Sequence, residues 1–269
     1  MAAARAVLTL LAATLLGVGA TSAAAGAPVP AACLDCHVPH YASHGGCVDC
    51  HRGDARAARP DLAHHRLLAG AAAAWALPGS PVLPRAVALR DSLGCRRCHV
   101  TGGKGERLAI NLDTVAWPRT QQELRASLVN PAAAMPAFGL GARTADTLAA
   151  VLLRDADRHG GSPRYQVRFR AGSDDSLRTF ARLCGGCHLA LTPDGPQGTG
   201  ADGPDLSGLT GAFHPTAADS AWSRARLERW LGNPRALRPQ ATMLPVAVKP
   251  DELDAVLRAV TPPPAPAGR

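Results

Sequence analysis

Apolar residues recur at helical spacing in four stretches of the chain, and this pattern predicts four amphipathic helices. The second helix is expected to follow Thr144 as its cap and to stop before Gly160. The fourth is expected to open at Pro250 and to stop at Pro262. The chain is therefore predicted to be all-α, with little or no sheet. The apolar positions are Ala86, Leu89 and Leu93; Leu148, Val151 and Leu152; Leu177, Phe180 and Leu183; and Leu253, Val256, Leu257 and Val260.

The four helices fall into two repeats of the same order of features. In each repeat, a helix is followed by the pattern Leu-x-x-x-Leu-x-Asn-Pro, at 124–131 and at 227–234, and then by a methionine near proline. These methionines are Met135 and Met243, and the only other methionine is Met1. Each repeat closes with its second helix, so the sequence predicts two helical units of similar design.

The first 25 residues have the features of a secretory signal peptide. Arg5 precedes an apolar run over 6–20, and Ala23 and Ala25 form a cleavage motif, so cleavage is expected after Ala25. The next apolar run, Leu67–Leu77, is shorter than the ~20 residues of a membrane-spanning helix and is predicted to be a buried helix. The mature protein is expected to be exported and soluble, and the alternative is a retained signal that acts as an anchor.

All eight cysteines belong to four CxxCH motifs, and this arrangement predicts four covalently bound c-type haems. Residues three apart lie on one face of a helical turn, so both thiols can add to the two vinyl groups on one edge of a porphyrin. The histidine after the second thiol can then ligate the iron. A zinc ribbon or a redox-active CxxC is the alternative, but neither needs a histidine after every second cysteine. The motifs are Cys33, Cys36 and His37; Cys47, Cys50 and His51; Cys95, Cys98 and His99; and Cys184, Cys187 and His188.

The positive charge of the chain would be largely neutralised by bound haem. The formal charge of +8 falls to +7 when Arg5 leaves with the signal peptide, and the haem propionates would offset most of the rest. The sequence has no basic run with interleaved aromatic residues, so nucleic acid binding is excluded. Aromatic residues make up only 4% of the chain, so porphyrin is expected to fill part of each core. Without haem, the chain is expected to be poorly folded.

Each of the two helical units resembles a class I cytochrome c domain. The resemblance rests on the order of an N-terminal helix, CxxCH, the Asn-Pro pattern, a methionine near proline and a C-terminal helix. It implies that the C-terminal helix packs across the first, and that His99 and His188 are proximal ligands. It also implies Met135 and Met243 as distal ligands. A Gly/Pro/Asp-rich insert separates His188 from Met243, and His214 within it is a rival ligand of the fourth haem.

The first two motifs lie too close together for two such domains, and the stretch around them contains no methionine. It resembles the compact multihaem cytochromes, in which closely spaced CxxCH motifs use histidine on both sides of the iron. Its spare histidines form two pairs, and the second pair lies on a helix predicted over Asp61–Leu68. One distal ligand is expected from each pair. The favoured ligands are His44 and His64, and the alternatives are His40, which is too near His37 to serve its own haem, and His65.

These features divide the chain into five parts. They are a signal peptide (1–25), a dihaem module (26–78), two cytochrome c-like domains (79–162 and 163–261) and a disordered tail (262–269).

Six-coordinate haems leave no iron position for a substrate, so the sequence predicts an electron carrier without catalytic residues. Methionine opposite histidine raises the potential relative to two histidines, so two lower-potential haems are expected to precede two higher-potential ones. The expected partners are other redox proteins outside the cytoplasmic membrane, including a membrane respiratory complex, while the sequence leaves the oligomeric state open. The alternative functions are a dihaem peroxidase-like enzyme and a structural haem subunit of a larger assembly.

Overall fold

The computed structural model describes residues 32–77, 79–132, 134–159, 165, 167, 169–170, 175–215 and 221–264. The predicted signal peptide and residues 265–269 of the predicted tail lie outside them. The described residues form ten α-helices, four short 3-10 helices and one two-stranded hairpin, which confirms the predicted helical fold. Among these residues, no helix has both the length and the apolar composition needed to cross a membrane.

Four of the helices are those predicted from the apolar stripes; in the numbering given next, they are α3, α6, α7 and α10. The α-helices are α1 Cys47–His51, α2 Pro60–Ala63, α3 Val82–Ser92, α4 Leu112–Ala116, α5 Gln121–Val129, α6 Ala142–His159, α7 Asp175–Leu183, α8 Arg224–Gly232, α9 Pro234–Leu237 and α10 Pro250–Val260. The 3-10 helices are Ala32–Asp35, Ala42–His44, Gly70–Ala76 and Cys95–Arg97. Strands β1 (Ala190–Thr192) and β2 (Gly195–Gln197) pair antiparallel, with Leu191 opposite Pro196.

The N-terminal module, residues 32–77, consists of short turns. The helix predicted over Asp61–Leu68 is wrong in length, because α2 has only four residues. The chain turns after it at Arg66, whose φ of 61° is left-handed and incompatible with an α-helix. The turn brings the Leu68 N–H to the His51 carbonyl at 2.8 Å and so joins this stretch to α1.

The apolar run at the end of this module packs against the next unit. Leu67–Leu77, predicted to be a buried helix, contains the 3-10 helix Gly70–Ala76. Leu68 and Ala73 are buried in the same core as the helices that follow. The module is thus held by apolar packing as well as by the chain itself.

The middle unit, residues 79–159, packs α3, α4 and α5 on α6. The prediction of Thr144 as the cap of α6 is wrong, because the helix already begins at Ala142. The Thr144 N–H donates to the Gly141 carbonyl (3.0 Å) within the first turn. The core that includes this unit consists of Leu68, Ala73, Ala86, Ala116, Leu124, Leu128, Ala145, Leu148, Ala149, Val151, Leu152, Leu153 and Ala156.

The C-terminal unit, residues 175–264, repeats this arrangement with α7 packed against α10. As predicted, α10 opens at Pro250, and it ends at Val260, before Pro262. The repeated Asn-Pro pattern has the same role in both units, since Asn130 and Asn233 are the C-caps of α5 and α8. The core of this unit consists of Phe180, Ala190, Leu209, Leu227, Leu231, Leu253, Val256, Ala259 and Val260.

Candidate haem-binding sites

Each CxxCH motif forms a single turn, and we number these turns sites 1 to 4. In sites 1, 3 and 4 the histidine N–H donates to the carbonyl of the first cysteine, at 2.9, 3.0 and 2.9 Å. In site 2 the motif is helix α1. Each turn therefore places its two thiols three residues apart on one side, and all eight cysteines are free thiols. The sites are Cys33–His37 (site 1), Cys47–His51 (site 2), Cys95–His99 (site 3) and Cys184–His188 (site 4).

Three of the motif thiols lack the lowered pKa of a redox-active cysteine. Partial burial raises the pKa of Cys95, Cys98 and Cys184 to about 11, whereas a redox-active cysteine has a lowered thiol pKa. Within the described ranges, no three side chains of His, Cys, Asp or Glu converge to hold a metal ion by themselves. The raised thiol pKa values argue against a redox-active CxxC at sites 3 and 4.

Three of the motif histidines are held by the same kind of hydrogen bond. A backbone carbonyl only accepts, so Nδ1 carries the proton and the lone pair of Nε2 is left for iron. Burial also lowers the pKa of His99 and favours its neutral form, which is the form that ligates a metal. The bonds run from His51 to Leu68 (2.9 Å), from His99 to Ile110 (2.7 Å) and from His188 to Pro204 (2.8 Å).

Two pairs of imidazoles face each other in the N-terminal module. The ring centroids of His37 and His64 are 6.0 Å apart. The Nε2 atoms of His40 and His51 are 3.3 Å apart, and their ring centroids 5.5 Å. Each pair joins the histidine of a motif to one of the spare histidines, one from between the motifs and one from the turn after α2.

The other candidate histidines lie outside these two pairs. The ring of His44, favoured from the sequence as a distal ligand, is 6.2 Å from the ring of Tyr41. His65 is exposed in the turn after α2. His214 lies where the middle and C-terminal units meet, and burial together with the charge of Arg97 lowers its pKa to about 4.

The N-terminal module has no apolar core of its own around sites 1 and 2. None of residues 32–67 is buried, and large side chains such as Leu34, Val38 and Tyr41 are exposed. A stretch of this length that buries nothing lacks the apolar contacts that stabilise ordinary domains. Two flat, largely apolar groups held between the facing histidines would supply those contacts, so these residues fit haem.

The candidate methionines lie beside the two helical cores. Met135 packs against the middle core and Met243 against the C-terminal core. Trp230 donates its indole N–H to the Met243 sulfur (3.1 Å), and Trp222 stacks edge-on against Trp230 with centroids 5.6 Å apart. The Trp222 indole nitrogen is buried without a hydrogen-bond partner among the described residues. Such a donor is expected where its acceptor belongs to a bound group, so this site also fits haem.

A buried polar network holds the loop that follows site 3. Asp155 of α6 accepts from Arg90 (2.7 Å) and from the Thr101 hydroxyl (2.9 Å). Asp113 of α4 accepts from the backbone N–H groups of Gly102 and Gly103, at 2.7 and 2.9 Å. Both carboxylates are buried. The loop directly after His99 is therefore fixed from two helices, which holds the motif in one orientation.

Several residues that support the sites are not evident from the sequence. Trp230 bonds to a methionine 13 positions away and Asp155 to a hydroxyl 54 positions away, which no local pattern shows. Comparison of the two repeats gives one signal for Trp230. A large aromatic residue stands before Leu231, whereas the small Ser127 stands at the matching position before Leu128.

Residues 88–152 match the family described as cytochrome C oxidase, cbb3-type, subunit III. The match runs from α3 into α6 and includes site 3 and Met135. No curated protein and no solved structure matches the chain. The matched segment has the single-turn CxxCH motif and the oriented histidine that c-type haem requires. Residues 88–152 are therefore a cytochrome c domain of the cbb3 subunit III type, and the chain is an electron-transfer haem protein.

Proposed function

We propose that this chain is a tetrahaem c-type cytochrome that passes electrons between redox proteins outside the cytoplasmic membrane. One observation carries the proposal: all eight cysteines lie in four CxxCH turns as free thiols, although only site 3 falls in the matched segment. Sites 1, 2 and 4 have the same residue types at the same spacing as site 3. The same chemistry is therefore expected at each of them.

The chain would hold each group covalently through two thioethers and orient it through one histidine. A bound haem iron gains and loses one electron without exchange of its ligands. The protein residues would supply the ligands, and the carbonyl bonds of His51, His99 and His188 keep these three imidazoles in the tautomer that leaves Nε2 unprotonated.

For sites 1 and 2 we infer histidine on both sides of the iron. The Nε2 atoms of His40 and His51 are 3.3 Å apart, at hydrogen-bonding distance, so the two imidazoles already direct their ligand atoms at each other. These two residues would hold the iron of site 2 if the rings moved slightly apart. The geometry favours His40 over His44 as the distal ligand of site 2. It favours His64 as the distal ligand of site 1, opposite His37.

For sites 3 and 4 we infer methionine opposite histidine. Met135 would face His99 and Met243 would face His188. The hydrogen bond from Trp230 uses one lone pair of the Met243 sulfur, leaves the other for iron and limits the rotation of the side chain. Thioether ligation raises the potential, so sites 3 and 4 are expected to be reduced before sites 1 and 2.

The two alternative functions have less support. A peroxidase-like enzyme needs an open iron position with an acid or base beside it. At sites 3 and 4, Met135 and Met243 would occupy that position. A structural haem subunit would remain part of a larger assembly during purification. The native mass of the purified protein would then exceed that of a single chain.

The proposed location depends on the predicted signal peptide and on the chemistry of the motifs. Attachment of haem to CxxCH takes place outside the cytoplasmic membrane in bacteria, and residues 1–25 have the pattern of an export signal. The match of residues 88–152 to a subunit of a terminal oxidase supports a respiratory complex as one redox partner.

A redox titration followed by absorption and paramagnetic resonance tests the proposal. Two centres should show the ferric signals of two-histidine ligation and titrate at lower potential. Two others should show the far-red band of iron–sulfur bonding and titrate at higher potential. A high-spin ferric centre that binds small ligands in the resting protein would favour the enzyme instead.

A further inference from the structure

The middle and C-terminal units are joined at the residues between the cysteines of site 3. Arg97 donates from Nη2 to Oδ1 of Asp205 (2.7 Å) and from Nη1 to the Asp205 carbonyl (3.2 Å). Only 12% of the Arg97 side chain and 13% of the Asp205 side chain are exposed. An ion pair with two hydrogen bonds that is largely shielded from water fixes the relative orientation of the two residues as well as their distance.

Asp205 lies directly beside the ligand loop of site 4. The preceding residue, Pro204, provides the carbonyl that accepts the Nδ1 proton of His188 (2.8 Å). Two residues later, the Ser207 N–H donates to the same Asp205 oxygen that Arg97 holds (2.8 Å). A displacement of Asp205 would therefore move the acceptor that sets the orientation and basicity of the site 4 imidazole.

The two units are also in close contact around this pair. Gly208 has a φ of +59°, and a Cβ atom there would lie 2.8 Å from the Arg97 carbonyl oxygen. The Ser207 side chain lies near the thiol of Cys98, the second cysteine of site 3, and affects its pKa. The thiol side of site 3 thus lies on the loop that carries the acceptor for His188.

We propose that the Arg97–Asp205 pair is the connection across which sites 3 and 4 exchange electrons, with Asp205 as a positioning residue for His188. This inference rests on the four-haem function proposed above. Transfer of one electron across the contact oxidises one site and reduces the other, and it needs no proton or further reactant. The pair keeps the two sites at a fixed separation, on which the rate of electron tunnelling depends steeply.

Two variants break the connection from either side, and a third is the control. Arg97→Gln and Asp205→Asn each remove one partner. Asp202→Asn removes an exposed carboxylate from the same loop and leaves the pair in place. Each protein is purified with its haems and partly reduced, and the haem methyl resonances are followed by paramagnetic NMR. Fast electron exchange should average each haem methyl resonance of sites 3 and 4 between its oxidised and reduced positions in the unmodified protein and in the control, and both pair variants should lose this averaging.

The two pair variants remove opposite charges, which separates loss of the contact from a change in the electric field. A purely electrostatic influence would shift the potentials of the two variants in opposite directions and leave the averaging intact, and that result would overturn the inference. Haem content and the far-red band of each variant show that both sites are still assembled. Fewer than four sets of methyl resonances in the unmodified protein would instead refute the four-haem function.

Discussion

His40 lies three residues after the histidine of site 1, yet its Nε2 is 3.3 Å from that of the site 2 histidine, His51. A segment this short cannot pass around a porphyrin to reach the opposite face of its own haem. As the proposed ligand of the neighbouring site, His40 would tie the two sites together, so that filling one site would order the ligand of the other. We expect the N-terminal module to bind its two groups as one cooperative unit.

The assignment of His40 predicts different results for two neighbouring variants. His40→Ala should leave the iron of site 2 with an open position, because no other imidazole faces His51 in the described structure. His44→Ala should leave every site closed, because among the described ring contacts His44 meets only Tyr41 and no motif histidine. Binding of carbon monoxide to the reduced proteins measures the open position. Carbon monoxide binding by His44→Ala but not by His40→Ala would restore the assignment of His44.

The methionine ligands can be tested one at a time. Met135→Ala and Met243→Ala should each remove part of the far-red band and lower one midpoint potential, because loss of the thioether removes the ligand that raises it. His214→Ala is the matched test of the rival ligand at site 4. If Met243→Ala leaves the spectrum intact and His214→Ala changes it, site 4 has two histidine ligands and the predicted order of potentials fails there.

At the scale of elements, four helices follow from their apolar stripes because amphipathic periodicity records which face is buried. Two details of the helices were wrong for local reasons. The helix around His64 stops early because Arg66 adopts a left-handed backbone, and α6 begins before Thr144 because its first turn is already bonded to the Gly141 carbonyl. Neither a backbone reversal nor an added turn is visible in a periodic pattern.

Glu252 links the two crossing helices of the C-terminal unit. Its carboxylate accepts from the Lys249 N–H at the start of α10 (2.9 Å) and from Arg182 of α7 (2.6 Å). The backbone bond to Lys249, followed by the bond to Arg182, lowers the pKa of Glu252 below its usual 4.5. A carboxyl group with a lowered folded pKa stabilises the fold above the unfolded pKa, and this stability is lost as pH falls through the folded value.

Glu252→Gln should therefore lower the urea midpoint at pH 7, and the difference from the unmodified protein should shrink as the pH falls below 4.5. Glu228→Gln, on the exposed face of α8, is the matched control and should leave the midpoint unchanged. A difference for Glu252→Gln that stays constant across this pH range would contradict the role of its charge.

At the scale of the whole molecule, an arginine within or directly after a CxxCH motif reaches the next unit at both junctions. Arg97 does so at site 3, and Arg52 does so directly after site 2. The Arg52 guanidinium donates to Asp157 (2.6 Å) and to the Trp117 carbonyl (3.0 Å), and it lies 5.1 Å from the centroid of the Trp117 ring. These contacts join residues too far apart in sequence for any local pattern to predict.

Arg52→Gln should loosen the N-terminal module from the middle unit. The loss of a charge-assisted hydrogen bond should lower the free energy of unfolding by about 1.5–3 kcal/mol, and the module should become more open to limited proteolysis. Arg56→Gln is the matched control, since Arg56 pairs with Asp54 inside the module and its side chain is 86% exposed. Equal proteolysis of the two variants would contradict the linking role of Arg52.

The mass of the intact chain under denaturing conditions shows how many haems are covalently bound. Protein matured in a host that attaches c-type haem is unfolded, extracted with acidic solvent to remove any haem that is not covalently bound, and weighed. Because each CxxCH motif should form two thioethers, the expected mass is that of the mature chain plus four haems. A mass with fewer than four haems, or loss of haem to the solvent, would contradict it.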